Sequence, residues 1–236
     1  MAIFYAPDIL NTNCLTEEES NHAVRVLRMK EGESLEIIDG LGNLFQAEII
    51  VANHKKCEVR ITNCIHDYKK RDFSIHLAVA PTKNLDRIEW MAEKITEIGV
   101  DEITPLLCDH SERKVIKNDR IEKIIISAAK QSQKAFVPKF NDMCHFRDFV
   151  SKERTGDLFI AHCYNNEKKL LSKTYEPNHS ATILIGPEGD FSEEEIKLAL
   201  RCKFIPVSLG ENRLRTETAA VVGVHTLNLI NEINCN

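Results

Sequence analysis

The pattern of hydrophobic and polar positions changes near residue 70. Before it, short apolar runs flank glycine turns, as in LEIIDGLGNLFQAEIIVA and CEVRITNCI, which predicts antiparallel strands. After the charged run DYKKRD at 67–72, apolar strands alternate with amphipathic helices, which is typical of a mainly parallel α/β sheet. We therefore predict a small β-rich domain over residues 1–70 and an α/β domain over residues 71–236.

A single longer helix is predicted in the first domain. A T-x-x-E capping box at residues 16–19 begins it, and the apolar pattern extends it to about Met29. On such a helix His22, Arg25 and Arg28 recur at every third position and share one face. The first domain shows no catalytic constellation beside this short basic stripe.

The second domain has five predicted strands and four predicted helices. The strands are SIHLAVAP, DEITPLL, DLFIAHC, ATILIG and FIPVSLG. One helix is capped by Asn84 and stopped by Gly99, and a second runs from Asn118 to about Lys134. The last two helices are SEEEIKLALR and TETAAVVGVHTLNLI, and the second of these closes the chain.

Composition narrows the cellular setting. The 236 residues are 43% hydrophobic and 28% charged, as in globular proteins. Neither a signal peptide nor a membrane-length apolar run is visible, and the eight cysteines form no C-x-x-C pair. We expect a cytoplasmic protein with reduced thiols, no membrane partner and no bound metal. The net charge of −5 argues against indiscriminate nucleic-acid binding, although basic residues cluster locally, as between 113 and 134.

Ligands of open α/β sheets bind where parallel strands end, so the loop after ATILIG is the first candidate. It reads GPEGDFS from Gly186, and Ser192 and Glu195 have the spacing of a capping box for the next helix. The glycines allow close approach of the backbone to a ligand. No Gly-Lys-Ser/Thr follows, and Glu188 and Asp190 would repel phosphate. A neutral or cationic ligand fits this loop better than a nucleoside triphosphate.

The loop after FIPVSLG is the second candidate. Thr216 is predicted to cap the last helix, which places Glu217 in the first turn, where the helix dipole favours a carboxylate. Arg213 and Arg215 precede the same helix, and cations there oppose the dipole. Unless they pair with Glu217 or Glu188, at least one of these arginines is expected to serve an anionic partner.

Five strings together resemble a known family: HAVRVLRMKEG, KNLDRIEWMAEKITEIGVDEITPLL, SERK, IGPEGDFSEEE and LGENRLRTETA. They are similar, in order and over nearly the whole chain, to the RsmE-type 16S rRNA (uracil-N3)-methyltransferases. The resemblance implies an N-terminal PUA-like β-barrel and a SPOUT-class α/β domain whose C-terminal trefoil knot binds S-adenosylmethionine. It also implies a homodimer, and a substrate uridine at position 1498 of 16S rRNA.

The resemblance and the loop chemistry together give a set of expected site residues. We expect the cofactor to lie mainly against backbone in two loops, at Leu184, Gly186, Pro187, Glu188, Gly189, Leu209, Gly210, Asn212, Leu214 and Thr216. The residues expected to contact RNA are His22, Arg25, Arg28, Lys83 and Arg113.

The reaction implied is attack of uracil N3 on the sulfonium methyl group, with loss of the N3 proton. Negative charge then spreads onto O2 and O4, and Arg215 is the cation expected to stabilise it. Glu217 is expected either to accept the proton or to fix the arginine. Two alternatives are a non-catalytic RNA-binding factor for ribosome assembly and a SPOUT methyltransferase acting on tRNA.

Three positions depart from the family pattern. Asp190 stands where a second glycine is common, which is expected to narrow the freedom of the loop. KQSQKAFVP at 130–138 replaces a more usual E-Q-S-x-R form, and Ile3 stands where an arginine often precedes the aromatic pair. The last two departures concern RNA contacts and leave the reaction itself untouched.

Overall fold

The computed structural model describes residues 2–164 and 168–234. Its internal contacts divide the chain into two compact units. One unit contains Met1–Lys70 and Ile126–Val137, and the other contains Arg71–Ile125 and Pro138–Asn236. No helix in the described ranges is long and apolar enough to cross a membrane.

The first unit is built on a four-stranded sheet with the strand order β1-β2-β3-β4. Its elements are β1 (Ile3–Tyr5), α1 (Ile9–Thr12), α2 (Glu17–Asn21), a π-helical turn (His22–Val26), β2 (Ser34–Ile38), β3 (Leu44–Val51) and β4 (Glu58–Ile65). Strands β1 and β2 are parallel, and the other pairs are antiparallel. Phe4, Ile37 and Phe45 are fully buried in the core of this unit. The predicted closure of the sheet into a barrel stays a prediction.

The turn between β2 and β3 explains why residues 126–137 belong to the first unit. Gly40 and Gly42 have φ values of 83° and 107°, which side-chain-bearing residues rarely adopt. Phe136 forms bridges with Gly40 and Leu41, and its ring lies within 2.2 Å of where a Gly42 Cβ would stand. Asp39 closes the turn by accepting the Leu41 N–H at 2.8 Å. Gly40 and Gly42 thus form the turn that the sequence predicted between two strands. The missing side chain of Gly42 also leaves room for the ring of Phe136, which is distant in sequence.

Among its described residues, the second unit is an α/β structure with eight strands. Its strands are β5 (Ile75–Val79), β6 (Glu102–Leu107), β7 (Lys139–Phe140), β8 (Cys144–His145), β9 (Asp157–Ala161), β10 (Lys169–Leu170), β11 (Ala181–Ile185) and β12 (Ile205–Ser208). Its helices are α3 (Leu85–Ile98), α4 (Asn118–Gln131), α5 (Phe146–Val150), a 3₁₀ turn (Leu171–Lys173), α6 (Glu193–Arg201) and α7 (Thr216–Asn234), and the end of α4 lies in the first unit.

All strand pairs of this sheet are parallel, and the strand order is β10-β12-β9-β11-β5-β6-β7, with β8 also pairing with β6. Strand β11 is buried along its whole length between β9 and β5. Because β12, β9 and β11 are neighbours and parallel, the loops that follow them emerge at the same end of the sheet. That arrangement brings three separate loops to one site.

Several predicted helix boundaries are confirmed. Helix α3 begins after Asn84, whose side chain accepts the Asp86 N–H, and it ends at Gly99, where φ is 126°. Helix α6 carries the predicted capping box between Ser192 and Glu195 in both directions. The trefoil knot implied by the resemblance stays a prediction.

Three expected boundaries were wrong. In the first unit, α2 ends at Asn21 and continues only as the π-helical turn, so the predicted helix to Met29 does not form. Helix α4 ends at Gln131 rather than near Lys134, because Gln133 has a positive φ of 55°. Thr216 is the first residue of α7 and not its cap.

Candidate functional site

Two adjoining cavities lie where β9, β11 and β12 end. The first, of about 370 Å³, is lined by Arg87, Ala161, Cys163, 185–188, Asp190, 213–216 and Ala219. The second, of about 410 Å³, is lined by 161–163, Lys168, 207–214 and Ala219. Both include Ala161, Cys163, Arg213, Leu214 and Ala219. We call the two together the carboxyl-end cleft.

The GPEGD loop is held against the start of α7. The Thr216 hydroxyl donates a 3.0 Å hydrogen bond to the carbonyl of Gly186. A Cβ on Gly186 would stand 3.2 Å from the Phe191 ring, closer than nearly all such contacts. Glycine at this position therefore lets the loop turn tightly over a buried aromatic ring. Thr216 was expected to cap α7, and its hydroxyl instead fastens the two loops together.

Asp190 shows how this chain uses a residue other than glycine in the loop. Its φ is 63°, a left-handed conformation that aspartate tolerates better than most residues. Its carboxylate accepts the Cys163 N–H at 2.7 Å and the Phe191 N–H at 2.8 Å. The side chain thus joins the loop after β11 to the loop after β9. The narrower backbone freedom is offset by two hydrogen bonds that a glycine lacks.

Arg213 and Arg215 are exposed at the cleft, just before α7. Across residues 2–164 and 168–234, neither makes an ion pair. Glu188, one expected partner, accepts the backbone N–H of Lys83 at 3.0 Å. Two unpaired cations therefore face an open cleft beside a helix N-terminus, which itself carries partial positive charge. This arrangement favours an anionic ligand or an anionic transition state.

Glu217, the other expected partner, pairs with a residue that the sequence did not indicate. Its Oε1 lies 3.6 Å from Nε of Arg87, and Arg87 lines the first cavity. Glu217 is only 7% exposed, and its Oε2 has no hydrogen-bond partner among the described residues. A buried carboxylate this poorly satisfied is costly, which is more common at functional sites than elsewhere. Arg87 lies in the first turn of α3, and that position alone did not mark it as a residue of the site.

The loop after β9 supplies the wall of the second cavity. Lys168 Nζ donates to the carbonyls of His162 and Tyr164 at 2.5 and 2.6 Å. Burial lowers the pKa of Lys168. Burial, and then the nearby Lys168, lower the pKa of His162, whose Nδ1 has no partner in the described ranges. The wall therefore presents a neutral imidazole, a feature that the sequence analysis did not single out.

The predicted cofactor residues fall into two groups. Eight line the carboxyl-end cleft: Gly186, Pro187, Glu188, Leu209, Gly210, Asn212, Leu214 and Thr216. Leu184 is fully buried in the sheet core and lines neither cavity. Gly189 also lies off the lining, and a Cβ there would stand 3.1 Å from Cβ of His110. A larger residue at Gly189 would therefore strain packing within the protein before it met any ligand.

Arg215 lines the first cavity as expected, whereas Glu217 lies behind its wall. Lys83 and Arg113, which were expected to contact RNA, are tied to each other. Arg113 donates to the carbonyls of Thr82 and Lys83, and Lys83 Nζ lies 2.9 Å from Oε2 of Glu112. Arg113 is thus used to brace the Lys83 loop.

The predicted basic stripe of the first unit has a different geometry from the one expected. His22 and Arg25 lie in the π-helical turn, and Arg28 follows it with a left-handed φ of 57°. The three side chains therefore do not follow the regular i+3 spacing of an α-helix. Arg25 and Arg28 are exposed, whereas His22 is half-buried and lies 3.9 Å from the carboxylate of Glu19.

Glu19 is a buried carboxylate next to this turn. Thr16 accepts the Glu19 N–H, as predicted for a cap. The buried Glu19 carboxylate, however, accepts from the Tyr5 N–H at 3.3 Å and from Lys130 Nζ at 2.5 Å. Lys130 belongs to the segment that departs from the family pattern, so this departure has a structural use inside the first unit. Among the residues described, no group of three or more His, Cys, Asp or Glu side chains could hold a metal ion.

The glycine loop and the unpaired arginines lie at the carboxyl ends of a parallel sheet, where α/β proteins bind their ligands. Residues 69–228 match the family described as an RNA methyltransferase domain, and residues 15–62 match the RNA methyltransferase PUA domain. The predicted mainly parallel α/β domain and the small N-terminal PUA-like domain are confirmed by these matches and by the solved structures below.

Full-length relatives narrow the class further. The chain is 32% identical to the ribosomal RNA small subunit methyltransferase E of Buchnera aphidicola subsp. Acyrthosiphon pisum, over 94% of this chain and 91% of that protein. This chain belongs to the ribosomal RNA small subunit methyltransferase E family of RNA methyltransferases.

Two solved structures share the whole fold. A structure from Porphyromonas gingivalis, described as a "probable rRNA-methyltransferase", is 40% identical with a TM-score of 0.94, and 99% of each chain is covered. The ribosomal RNA small subunit methyltransferase E of Neisseria gonorrhoeae is 26% identical with a TM-score of 0.84, and 98% of each chain is covered. The Neisseria protein was solved bound to S-adenosylmethionine.

Proposed function

We propose that this protein transfers the methyl group of S-adenosylmethionine to N3 of a uridine in 16S rRNA, at the position expected from the resemblance. The observation that carries the proposal is the pair of unpaired arginines, Arg213 and Arg215, on a cleft framed by the GPEGD loop. The S-adenosylmethionine bound by the Neisseria relative supports the choice of cofactor.

The cleft fits this cofactor in size and chemistry. Its two cavities, of about 370 and 410 Å³, both fall within the usual range of small-molecule sites. Main-chain groups of residues 186–188 and 209–214 would hold the cofactor, with Ala219 and Leu214 supplying apolar contact between the cavities. Gly210 has open space where a Cβ would stand, so its backbone can approach a ligand. Bound there, the cofactor supplies an electrophilic methyl group.

Arg215 has the chemistry that the reaction needs. When N3 loses its proton, negative charge moves onto the uracil oxygens, and a preorganised guanidinium stabilises that charge as it develops. Arg215 is not committed to an ion pair in the described chain, so its full charge is available. Its position just before α7 adds the partial positive charge of the helix N-terminus.

Glu217 is assigned to the second of its two expected roles, that of fixing an arginine. It lies behind the cavity wall and contacts Arg87, so it positions Arg87 rather than Arg215. Arg87 then presents a second cation to the first cavity. Proton transfer by Glu217 would need its carboxylate to reach a ligand that the wall now separates from it.

The remaining parts of the proposal concern partners. We propose that residues 1–70 dock RNA through the exposed Arg25 and Arg28, and that the protein is a cytoplasmic homodimer. Helix α7 supports the dimer because Leu229 and Ile233 are 40% and 64% exposed on it. Apolar side chains exposed on one helix are typical of surfaces that a partner covers.

Product analysis tests the proposal. The purified chain is incubated with methyl-labelled S-adenosylmethionine and with small ribosomal subunits, naked 16S rRNA or tRNA, and the RNA is digested to nucleosides. We expect N3-methyluridine from ribosomal RNA in one or both forms and none from tRNA. RNA binding without transfer would instead support the assembly factor, and methylation of tRNA alone would support the third candidate.

A further inference from the structure

A third cavity lies at the opposite end of the same parallel sheet. Its volume is about 810 Å³, and it is lined by the starts of β5, β6 and β11 and by the C-terminal ends of α5 and α6. We call it the amino-end cleft. Nothing in the proposed reaction uses it, because the cofactor and the reacting base belong at the carboxyl ends of the strands.

Four cations line this cleft: Lys152, Arg154, Arg201 and Lys203. Throughout the described ranges none of them forms an ion pair with a carboxylate. Hydroxyl groups of Ser74, Ser151 and Thr182 also line the cleft. Arginine, lysine and hydroxyl donors together are the groups that proteins use to bind phosphate oxygens.

The negative groups nearby do not cancel these charges. Glu102 and Glu153 line the cleft, but Glu102 accepts the Asn141 amide at 2.6 Å and lies 3.9 Å from Lys139 Nζ. The C-termini of α5 and α6 each add at most about half a negative charge. A positive excess therefore remains, in a chain whose net charge is −5.

Two of these cations, Arg154 and Lys203, have unusual local environments. Arg154 donates to the carbonyls of Phe149 and Lys152, and its guanidinium lies 3.6 Å from the centroid of the Phe149 ring. Lys203 has a left-handed φ of 68° just after α6, at a position where glycine is favoured. A lysine there accepts conformational strain and keeps a cation at the mouth of the cleft.

We propose that the amino-end cleft binds the sugar–phosphate backbone of the substrate RNA, away from the nucleotide that reacts. The inference rests on the proposed ribosomal RNA substrate, because only a polymer can contact both ends of the sheet at once. We assign to the cleft contacts with phosphate oxygens, which position an RNA without reading its sequence. Its contribution is affinity and orientation, and it leaves the methyl-transfer chemistry to the carboxyl-end cleft.

The test is the salt dependence of 16S rRNA binding by the full chain. The variant R201Q/K203Q removes two positive charges from the amino-end cleft. The control variant K173Q/K197Q also removes two positive charges, from exposed lysines of the second unit that do not line this cleft. Each lost phosphate contact reduces the slope of log K against log salt by about 0.7–0.9. We expect a slope flatter by about 1.5 for the cleft variant and a change under about 0.5 for the control.

Two further measurements keep the outcomes separate. Calorimetric binding of S-adenosylmethionine should be equal in both variants and the wild type, which shows that the fold and the carboxyl-end cleft are intact. An unchanged salt slope in R201Q/K203Q, or an equal change in the control, would overturn the proposal. The proposal would also be overturned if millimolar inorganic phosphate competed with RNA for the wild type while R201Q/K203Q bound RNA as tightly as the wild type does. If the wild type binds rRNA but transfers no methyl group, the proposed reaction fails while the slope comparison still decides the role of the cleft.

Discussion

The two ends of one parallel sheet differ in how they are built. At the carboxyl ends, the cleft is made from glycine loops, main-chain groups and a few arginines, and its two cavities are each about half the size of the amino-end cleft. At the amino ends, the cleft is larger, and its lining includes four long basic side chains together with several hydroxyl groups. The smaller cleft therefore has the preorganised backbone that a cofactor needs, and the larger has the diffuse charge that suits a polyanion.

The comparison also separates two uses of arginine. Arg215 stands exposed at a helix N-terminus with no partner in the described chain, so it gains most when an anion arrives. Arg154 is half-buried against Phe149 and bonded to carbonyls, so its position is already fixed. Removal of Arg215 should therefore lower the reaction rate. Removal of cations of the amino-end cleft should instead lower RNA affinity.

The largest effect is expected from Arg215→Ala. Loss of a donor to a developing oxyanion costs about 10²–10³ in rate, and Arg215→Lys should also be severe because it lacks the planar fork. Single-turnover methylation of small ribosomal subunits at saturating cofactor measures this, with calorimetry as the check that cofactor binding is kept. A rate within a few-fold of the wild type would contradict the assigned role.

A second, nearly as large effect is expected from Ala219→Leu. Ala219 lies on α7 and lines both cavities of the carboxyl-end cleft, so a leucine would fill the space between them without straining the helix. We expect cofactor affinity to fall at least about 100-fold, since a displaced ligand loses its apolar contacts there. Ala219→Ser is the matched control and should bind nearly normally. Equal affinity in the leucine variant would place the cofactor elsewhere.

A smaller effect is expected from the Arg87–Glu217 pair. Arg87→Gln and Glu217→Gln should each lower the methylation rate about 10-fold, and the double variant should be little worse than either, because the two act as a unit. The pH profile of the rate separates the two roles of Glu217. If Glu217→Gln alone abolished the acidic limb of the profile, where the rate rises with pH, and Arg87→Gln retained it, the carboxylate would be the proton acceptor and not a positioning residue.

A separate effect, on stability and not on activity, is expected from His76 at the amino-end cleft. Burial lowers the pKa of His76 to about 4, against an ordinary value of 6.5, while Glu102 partly opposes the shift. Between these two values the unfolded chain binds more protons than the native one, so stability is lost as pH falls through that window. We expect the free energy of unfolding to fall by about 2 kcal/mol from pH 7.5 to pH 5 on account of His76. Urea titrations of His76→Asn should show a weaker fall, and an identical pH dependence in this variant would refute the assignment.

The sequence predicted the features that depend on local spacing. The cap of α3 by Asn84, the stop at Gly99 and the Ser192–Glu195 box all follow from residues within one or two turns. Five strands of the second unit were also predicted, because parallel strands buried on both faces read as plain apolar runs. The two-residue strands β7, β8 and β10 were missed, because they are too short to give such a run. The position of the carboxyl-end loops at one site followed from that alternation.

Features that depend on distant contacts were not predicted. The Arg87–Glu217 pair joins two helices 130 positions apart, and neither residue is unusual in its own segment. Phe136 joins the first unit through a contact with Gly42 that no local pattern encodes. The basic stripe differs from the prediction because His22–Val26 form a π-helical turn and Arg28 has a left-handed φ, and no local pattern indicated either feature.

A crystal structure of the chain with S-adenosylmethionine tests the central claim most directly, because it asks which end of the sheet holds the cofactor. The account predicts electron density in the carboxyl-end cleft, in contact with the backbone of residues 186–188 and 209–214 and beside Ala219, with the guanidinium of Arg215 free on the solvent side. Density in the amino-end cleft, or a carboxyl-end cleft left empty at a cofactor concentration that saturates binding in solution, would contradict it.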